Sequence, residues 1–491
     1  MALYLNVGNE SFQESLNSII YVDKSPLIEI LNRSIKTKNK YFCLSRPRRF
    51  GKSVTAQMIC SYYAKGQDCS PLFDDLEIAS FDDYKKHLNQ YDVISINISD
   101  EFSRGSHNVK SMTDILTKSI VRELKEEYPN CAISSPEFLD LTLQEVYNYS
   151  KVPFVFVIDE WDCIMREKKE DPDSLKQYLE WLKAIFKDKP YVGLAYMTGI
   201  LPVKKYGSHS ALNMFTEYSM TEPLNLGQYI GFTENEVKTL CSRYHADFAA
   251  VKRWYDGYLL DDYHIYNPKA VVNAMLRGRL QSYWSQTGTY QTIKTLIDMN
   301  FAGLRTAIID MLAGNSVAVN TNFFQNDMIS FASKDDILTA LIHLGYLSYD
   351  INEHAASIPN EEIRQEFAGA ISSNNWSELH AFEIESTQLL NAVLDGETAM
   401  VANSIAKLHD EYASSIRYND ENSLSSVLTI AFLSTMQYYF KPIREFPTGR
   451  GFADFVYLPK PRYKENYPAL IVELKWNKNV QTIRKFCKSY F

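Results

Sequence analysis

The sequence predicts an α/β fold, a parallel sheet with helices on both faces. Three observations predict it. Short apolar runs alternate with amphipathic stretches over the first ~220 residues, the pattern of strand–helix repeats in a parallel sheet. The run VPFVFVI is continuously apolar, as a strand buried on both faces requires. And SRPRRFGKS, Ser45 to Ser53, stands between an apolar strand and a helix, the place of the phosphate-binding loop in a P-loop NTPase sheet.

Strands are expected at Tyr41–Ser45, Val93–Ile98, Phe154–Ile158 and Tyr191–Thr198, with helices near Lys52–Ala64, Val109–Glu127 and Pro172–Phe186. From about Gly227 the texture changes. In GFTENEVKTL, Thr233 is placed to cap a helix with Glu236 completing a capping box. Asn267-Pro268 marks a second helix start, with Asn as cap and Pro at the first helical position. Residues 227–330 therefore read as helical with few strand signals. DDILTALIHLGYLSYD reads as a helix from Asp335 to Leu344 that turns at Gly345 into a strand; a partner near Ala355–Ile358 would make a winged-helix-like unit. That helix opens on two aspartates and carries almost no basic residues, which favours domain packing over contact with DNA. A helical run near Ser423–Phe440 precedes a hairpin pattern, GFADFVYL and ALIVELKW joined by a Pro-rich connection. The expected division is 1–225 for the ATPase-like domain, 226–330 for a helical lid, 331–390 for the winged-helix-like unit and 391–491 for a small α/β domain.

Composition agrees with a globular protein: 45% apolar, 23% charged, and a net charge of −9 that argues against coating nucleic acid by bulk attraction. One local exception runs from Arg33 to Lys52, where basic residues occur without acidic ones. The seven cysteines are dispersed with no CxxC pair, which implies reduced thiols. No secretory signal opens the chain, and no apolar run approaches the ~20 residues needed to span a bilayer, so a cytoplasmic protein without membrane contact is expected.

The loop carries the chemistry. Gly51, Lys52 and Ser53 would supply backbone donors at a helix N-terminus, an ammonium for the β- and γ-phosphates and a hydroxyl for Mg²⁺. The usual first glycine is replaced by Arg46, and Pro47 removes one backbone donor. By itself GKS could equally be a basic turn at an ordinary helix start. Two further features support nucleotide binding. FVFVIDEWD ends a strand in Asp159, placed to hold Mg²⁺ through water, and Glu160, placed to polarise the attacking water; the competing reading is an acidic strand end in solvent. YVGLAYMTG ends in Thr198, where a sensor of phosphate or water would sit. ATP binding follows, and ATP hydrolysis after it; a small-molecule kinase ranks last because the Asp-Glu pair favours water as acceptor. Arg46, Arg48 and Arg49 could steady phosphates, act as fingers on a neighbouring copy in a homo-oligomer, or form a solvated rim. Phe50 and Val54 complete the expected nucleotide-contacting set.

In order along the chain, YVDKSPLIEIL, RPRRFGKS, VFVIDEWD, MTGI, WYDGY, YNP and SYWSQTG resemble the AAA-ATPase-like proteins, a family with a C-terminal PD-(D/E)XK nuclease-superfamily domain common in gut and anaerobic bacteria. The resemblance covers nearly the whole chain. It implies that a loop lacking its first glycine is normal here and that Tyr21–Lys24 lies near the nucleotide. It also implies a nuclease site acting on DNA or RNA. Asp454, Glu473 and Lys475 match the motif, and strand alternation lets Glu473 and Lys475 share a face. The two carboxylates would hold Mg²⁺ and the lysine would orient or deprotonate water, with Glu421 as a further upstream acid. The alternative is a surface hairpin with a salt bridge, although charges inside an apolar strand are costly without a use. The sequence departs from the family in its last residues: VQTIRKFCKSYF does not match the expected A-I-x-Q-I-K-like run, so a truncated, inactive nuclease fold and a nucleotide-controlled switch or scaffold form the alternative function.

Overall fold

Strands β1 (Tyr41–Ser45), β3 (Phe154–Asp159) and β4 (Val192–Gly199) are buried along their whole length, which is why their sequences carry almost no alternation. With β2 (Asp92–Asn97) and β5 (Thr216–Tyr218) they form a five-stranded sheet in the order β2-β3-β4-β1-β5. Every pairing in it is parallel. The computed structural model describes residues 2–203, 212–284, 289–312, 314–325, 330–372, 377–413, 435–440, 442–447 and 452–473.

Helices flank the sheet for local reasons that the sequence states. In Val109–Glu127 the Asn108 side chain accepts a hydrogen bond from the Ser111 backbone, and Met112, Leu116, Ile120 and Leu124 form one buried stripe. Pro172–Phe186 starts at Asp171, which caps Ser174, and buries Leu175, Tyr178, Leu182 and Ile185. Each such side chain contributes roughly 1.5–3 kcal/mol when fully buried. The two stripes share one apolar core with β2, β3 and β4.

The chain divides into two units, Met1–Leu280 with Val319–His354, and Gln281–Ala318 with Ala355–Phe491. The first holds the five-stranded sheet and a smaller antiparallel sheet of β6 (Phe232–Thr233), β7 (Tyr258–Leu260) and β8 (Tyr263–Tyr266). The capping box of Thr233 and Glu236 and the Asn267 cap with Pro at the first position form as expected. The small sheet was not legible because its strands are too short to show alternation. Asp261 and Asp262 make a two-residue hairpin turn, with Asp261 at φ 53°. Helix Lys334–Leu344 also belongs to this unit, stopping at Gly345 in the left-handed region and leading to β10 (Ser348–Asp350).

In the second unit β9 (Val317–Ala318) pairs antiparallel with β11 (Ala355–Ser357). A separate meander joins β12 (Ile443–Pro447), β13 (Phe452–Tyr457) and β14 (Leu470–Val472), which is the hairpin expected from GFADFVYL and ALIVELKW. Of the helix expected near Ser423–Phe440, residues 423–434 lie outside the described residues; Thr435–Tyr438 is helical. No described helix is long and apolar enough to cross a membrane.

Candidate functional site

The C-terminal ends of β1, β2, β3 and β4 put Ser45, Asn97, Asp159 and Gly199 at one edge of the sheet. In open α/β sheets this is the edge where ligands bind. Here it opens into a cavity of about 910 Å³ within the first unit.

The loop reaches that cavity through a backbone reversal. Arg49 at φ 70° and Gly51 at φ 92° turn the chain into helix Lys52–Tyr63. No side chain caps this helix and its first turn has no acid, so its leading N–H groups stay available to an anion. Lys52 Nζ folds back onto the carbonyls of Arg46 (3.0 Å) and Pro47 (2.9 Å). Its pKa is lowered, first by burial and then by Arg166, against the opposing pull of Glu160, Asp162 and Asp159.

Below the loop three hydroxyl and carboxylate groups converge. Ser53 Oγ donates to Asp159 Oδ2 at 2.7 Å and Thr198 Oγ1 donates to Asp159 Oδ1 at 2.6 Å. The Glu160 backbone N–H adds a bond to the same Oδ1 at 2.9 Å. Ser53 and Asp159 thus offer hard oxygen donors within one hydrogen bond of each other, a donor set that suits Mg²⁺. Glu160 lines the cavity with its backbone at φ 53°, a conformation a residue with a Cβ adopts at some cost.

Arg48, Arg49, Phe50 and Val54 line the cavity as well. Arg46 does not. It is fully buried, with Nη1 donating to the carbonyls of Ser45 and Tyr218 at 2.9 Å each. Burial pushes its pKa down to about 10. The side chain standing in the missing glycine's place points into the protein and props the loop, which corrects the expectation that it meets phosphate or forms a rim.

Six basic side chains and three carboxylates line the cavity, so it is locally positive in a chain of net charge −9. The same lining includes an apolar and aromatic set, Tyr21, Val22, Tyr229, Phe232, Pro268 and Val272. Lys24 of the YVDK segment ties this wall together, bonding the Gln228 carbonyl (2.9 Å) and both oxygens of Glu236 (2.7 Å). Sequence reasoning missed Asp162 and Arg166, whose i,i+4 spacing just after the acidic strand end was the available signal.

The C-terminal residues lie in the second unit. Continuing the β13–β14 register by one position sets Asp454 opposite Glu473, on one face of the hairpin. Asp454 is partly buried and Glu473 exposed. Lys475 and Glu421 fall outside the described residues.

Residues 6–208 match a family model described as Predicted AAA-ATPase, which together with the loop supports nucleotide binding by this region. An uncharacterized protein in the vnfD 5' region of Azotobacter chroococcum mcd 1 is 24% identical over 280 residues, 55% of this chain and 51% of that protein. The chain therefore spans about half the length of that relative. Among solved structures, the Aeropyrum pernix Orc1 protein in complex with DNA aligns over 77% of this chain and 99% of that one, at 10% identity and a TM-score of 0.26.

Proposed function

We propose that the first unit binds ATP with Mg²⁺ and hydrolyses it. The observation that supports this best is the convergence of Ser53 and Thr198 on Asp159 beneath an uncapped helix N-terminus, with Lys52 on the same loop. In this reading the N–H groups of Gly51, Lys52 and Ser53 cradle the phosphates and Lys52 leaves the loop carbonyls for the β- and γ-oxygens. Arg48 and Arg49 add charge at the rim, and Phe50 and Val54 shape the wall. Ser53 and Asp159 would hold Mg²⁺, which supplies charge neutralisation of the phosphates. Glu160 orients the attacking water, and the aromatic side chains of the lining accept the base. The test is ATP binding and turnover by the full chain. Lys52→Ala is expected to lose both, and Glu160→Gln to lose turnover by about 100-fold or more while still binding. Equal turnover in both variants and the parent would sink the reading.

A second proposal concerns the C-terminal meander: Mg²⁺-dependent cleavage of DNA or RNA by Asp454, Glu473 and Lys475. Its support is the register that sets the two carboxylates across from each other. Cleavage of single- and double-stranded DNA and of RNA, with and without ATP, decides it. Cutting that disappears in Lys475→Ala supports a nuclease. No cutting alongside intact Lys52-dependent hydrolysis supports the nucleotide-controlled switch.

A further inference from the structure

Arg166 is left without a role by the reading above. It sits on the short helix Cys163–Glu167, lines the cavity, and is held between two carboxylates of different character. Its Nε donates to Asp162 Oδ2 at 3.1 Å, and its Nη2 pairs with Glu160. Asp162 is fully buried, and the same Oδ2 accepts the backbone N–H groups of Ile200 (3.1 Å) and Leu201 (2.9 Å). It is a fixed post. Glu160 stands in the cavity wall with its side chain 26% exposed, so water or a ligand can compete for it. The guanidinium therefore has one anchored edge and one exchangeable edge.

The exchangeable edge holds the side chain assigned to the water. A carboxylate paired with a guanidinium is stabilised in its ionised form, so it takes a proton from water less readily than a released one. The same guanidinium is near enough to the Lys52 ammonium for its charge to be felt there, and Lys52 belongs to the loop assigned to the phosphates.

We propose that Arg166 is an internal switch that trades Glu160 for the terminal phosphate of ATP. Without a γ-phosphate it neutralises Glu160. With one, Nη2 moves to the phosphate oxygens, stabilises charge on the transferring group, and frees Glu160. The oxygen of water then bonds to the γ-phosphorus as the bond to the bridging oxygen breaks. One water proton passes to Glu160 and on to the released phosphate, and ADP leaves with the bond's electron pair. ADP by itself leaves Glu160 clamped. The switch rests on the ATP-hydrolysis reading.

The test is equilibrium binding of Mg-ADP and of a slowly hydrolysed Mg-ATP analogue to the full chain, alongside turnover of ATP. Arg166→Gln is expected to bind ADP within about twofold of the parent, the analogue about tenfold more weakly, and to lose kcat by about 100-fold. Glu160→Gln releases the guanidinium and is expected to bind the analogue about fivefold more tightly, with ADP unchanged. That gain is expected to vanish in the double variant. Arg166→Lys, which keeps a cation beside Asp162, is expected to restore part of the preference for the analogue. Equal changes for ADP and analogue in both Arg166 variants would mark a structural role and overturn the switch, as would a Glu160→Gln gain that survives in the double variant. A parent chain that binds neither nucleotide overturns the ATPase reading with it; Lys52-dependent turnover without an Arg166-dependent preference overturns the switch alone.

Discussion

His343 lies wholly inside the first unit, stacked on Phe324 with ring centroids 5.5 Å apart. Its Nδ1 has no hydrogen-bond partner among the described residues. Burial, and after it the charge of Arg46, push its pKa down from 6.5 to about 3. The unfolded chain takes up a proton below pH 6.5 that the folded chain refuses, so stability falls as pH drops from about 6.5 towards 3. The slope of such a loss is about 1.4 kcal/mol per pH unit. His343→Leu is expected to shrink the difference between melting midpoints at pH 7 and pH 4.5; an unchanged difference would assign the acid limb to carboxylates. Two glycines give a second comparison. Gly51 and Gly231 both have positive φ, +92° and +94°. A Cβ at Gly51 meets nothing within 4 Å, whereas at Gly231 it would lie 2.4 Å from Ile265 Cγ2. Gly51→Ala is expected to cost about 1 kcal/mol, and Gly231→Ala about 3 kcal/mol, in denaturant unfolding. At this scale the sequence displayed Lys52, Ser53 and Asp159 because the phosphate and Mg²⁺ chemistry proposed for them requires those residue types. It hid the direction of Arg46, because nothing in RPRR distinguishes a side chain in solvent from one beneath the loop.

Elements were legible where a local signal closes on itself. Thr233 with Glu236, and Asn267 with Pro268, announce helix starts through bonds made within four residues, and both form. The sheet β6-β8-β7 went unseen because its order depends on pairing across the chain, between strands of two to four residues. Glu236 shows how a local element takes on longer reach: one carboxylate accepts the Thr233 backbone N–H at 2.7 Å and also the ammonium of Lys24, a half-buried group whose pKa is lowered chiefly by desolvation. Glu236→Ala removes half of the capping box and leaves the ammonium with the Gln228 carbonyl but no counter-charge, at an expected cost of about 2–3 kcal/mol in urea unfolding. Lys24→Met in the Glu236→Ala background is expected to recover part of that loss. No recovery would mean that the cap carries the effect.

For the molecule as a whole, the parallel sheet could be read from the sequence because three of its strands, β1, β3 and β4, are runs buried without alternation. The discontinuity of the first unit could not, since no motif marks a chain that leaves and returns. Every residue lining the cavity precedes Leu280, yet the unit also includes Val319–His354. That returning segment is bonded in: Tyr258 Oη donates to the Gly345 carbonyl at 2.6 Å, and the Leu259 N–H reaches Ser348 Oγ at 3.4 Å. Tyr258 in turn packs edge-on against Phe50 of the loop, with ring centroids 5.3 Å apart. A fragment of residues 1–280 is expected to melt several degrees below the full chain and to bind nucleotide more weakly although it keeps every contact residue; an unchanged melting point and affinity would show the segment to be dispensable. The same discontinuity imposes an order on biosynthesis. A nascent chain holds every residue that lines the cavity while the segment that braces them is still being translated, an interval on the order of ten seconds at ~5–20 residues per second. On the proposed reading, ATP in the surrounding fluid acts through that window on the emerging chain as a folding ligand, well before any turnover.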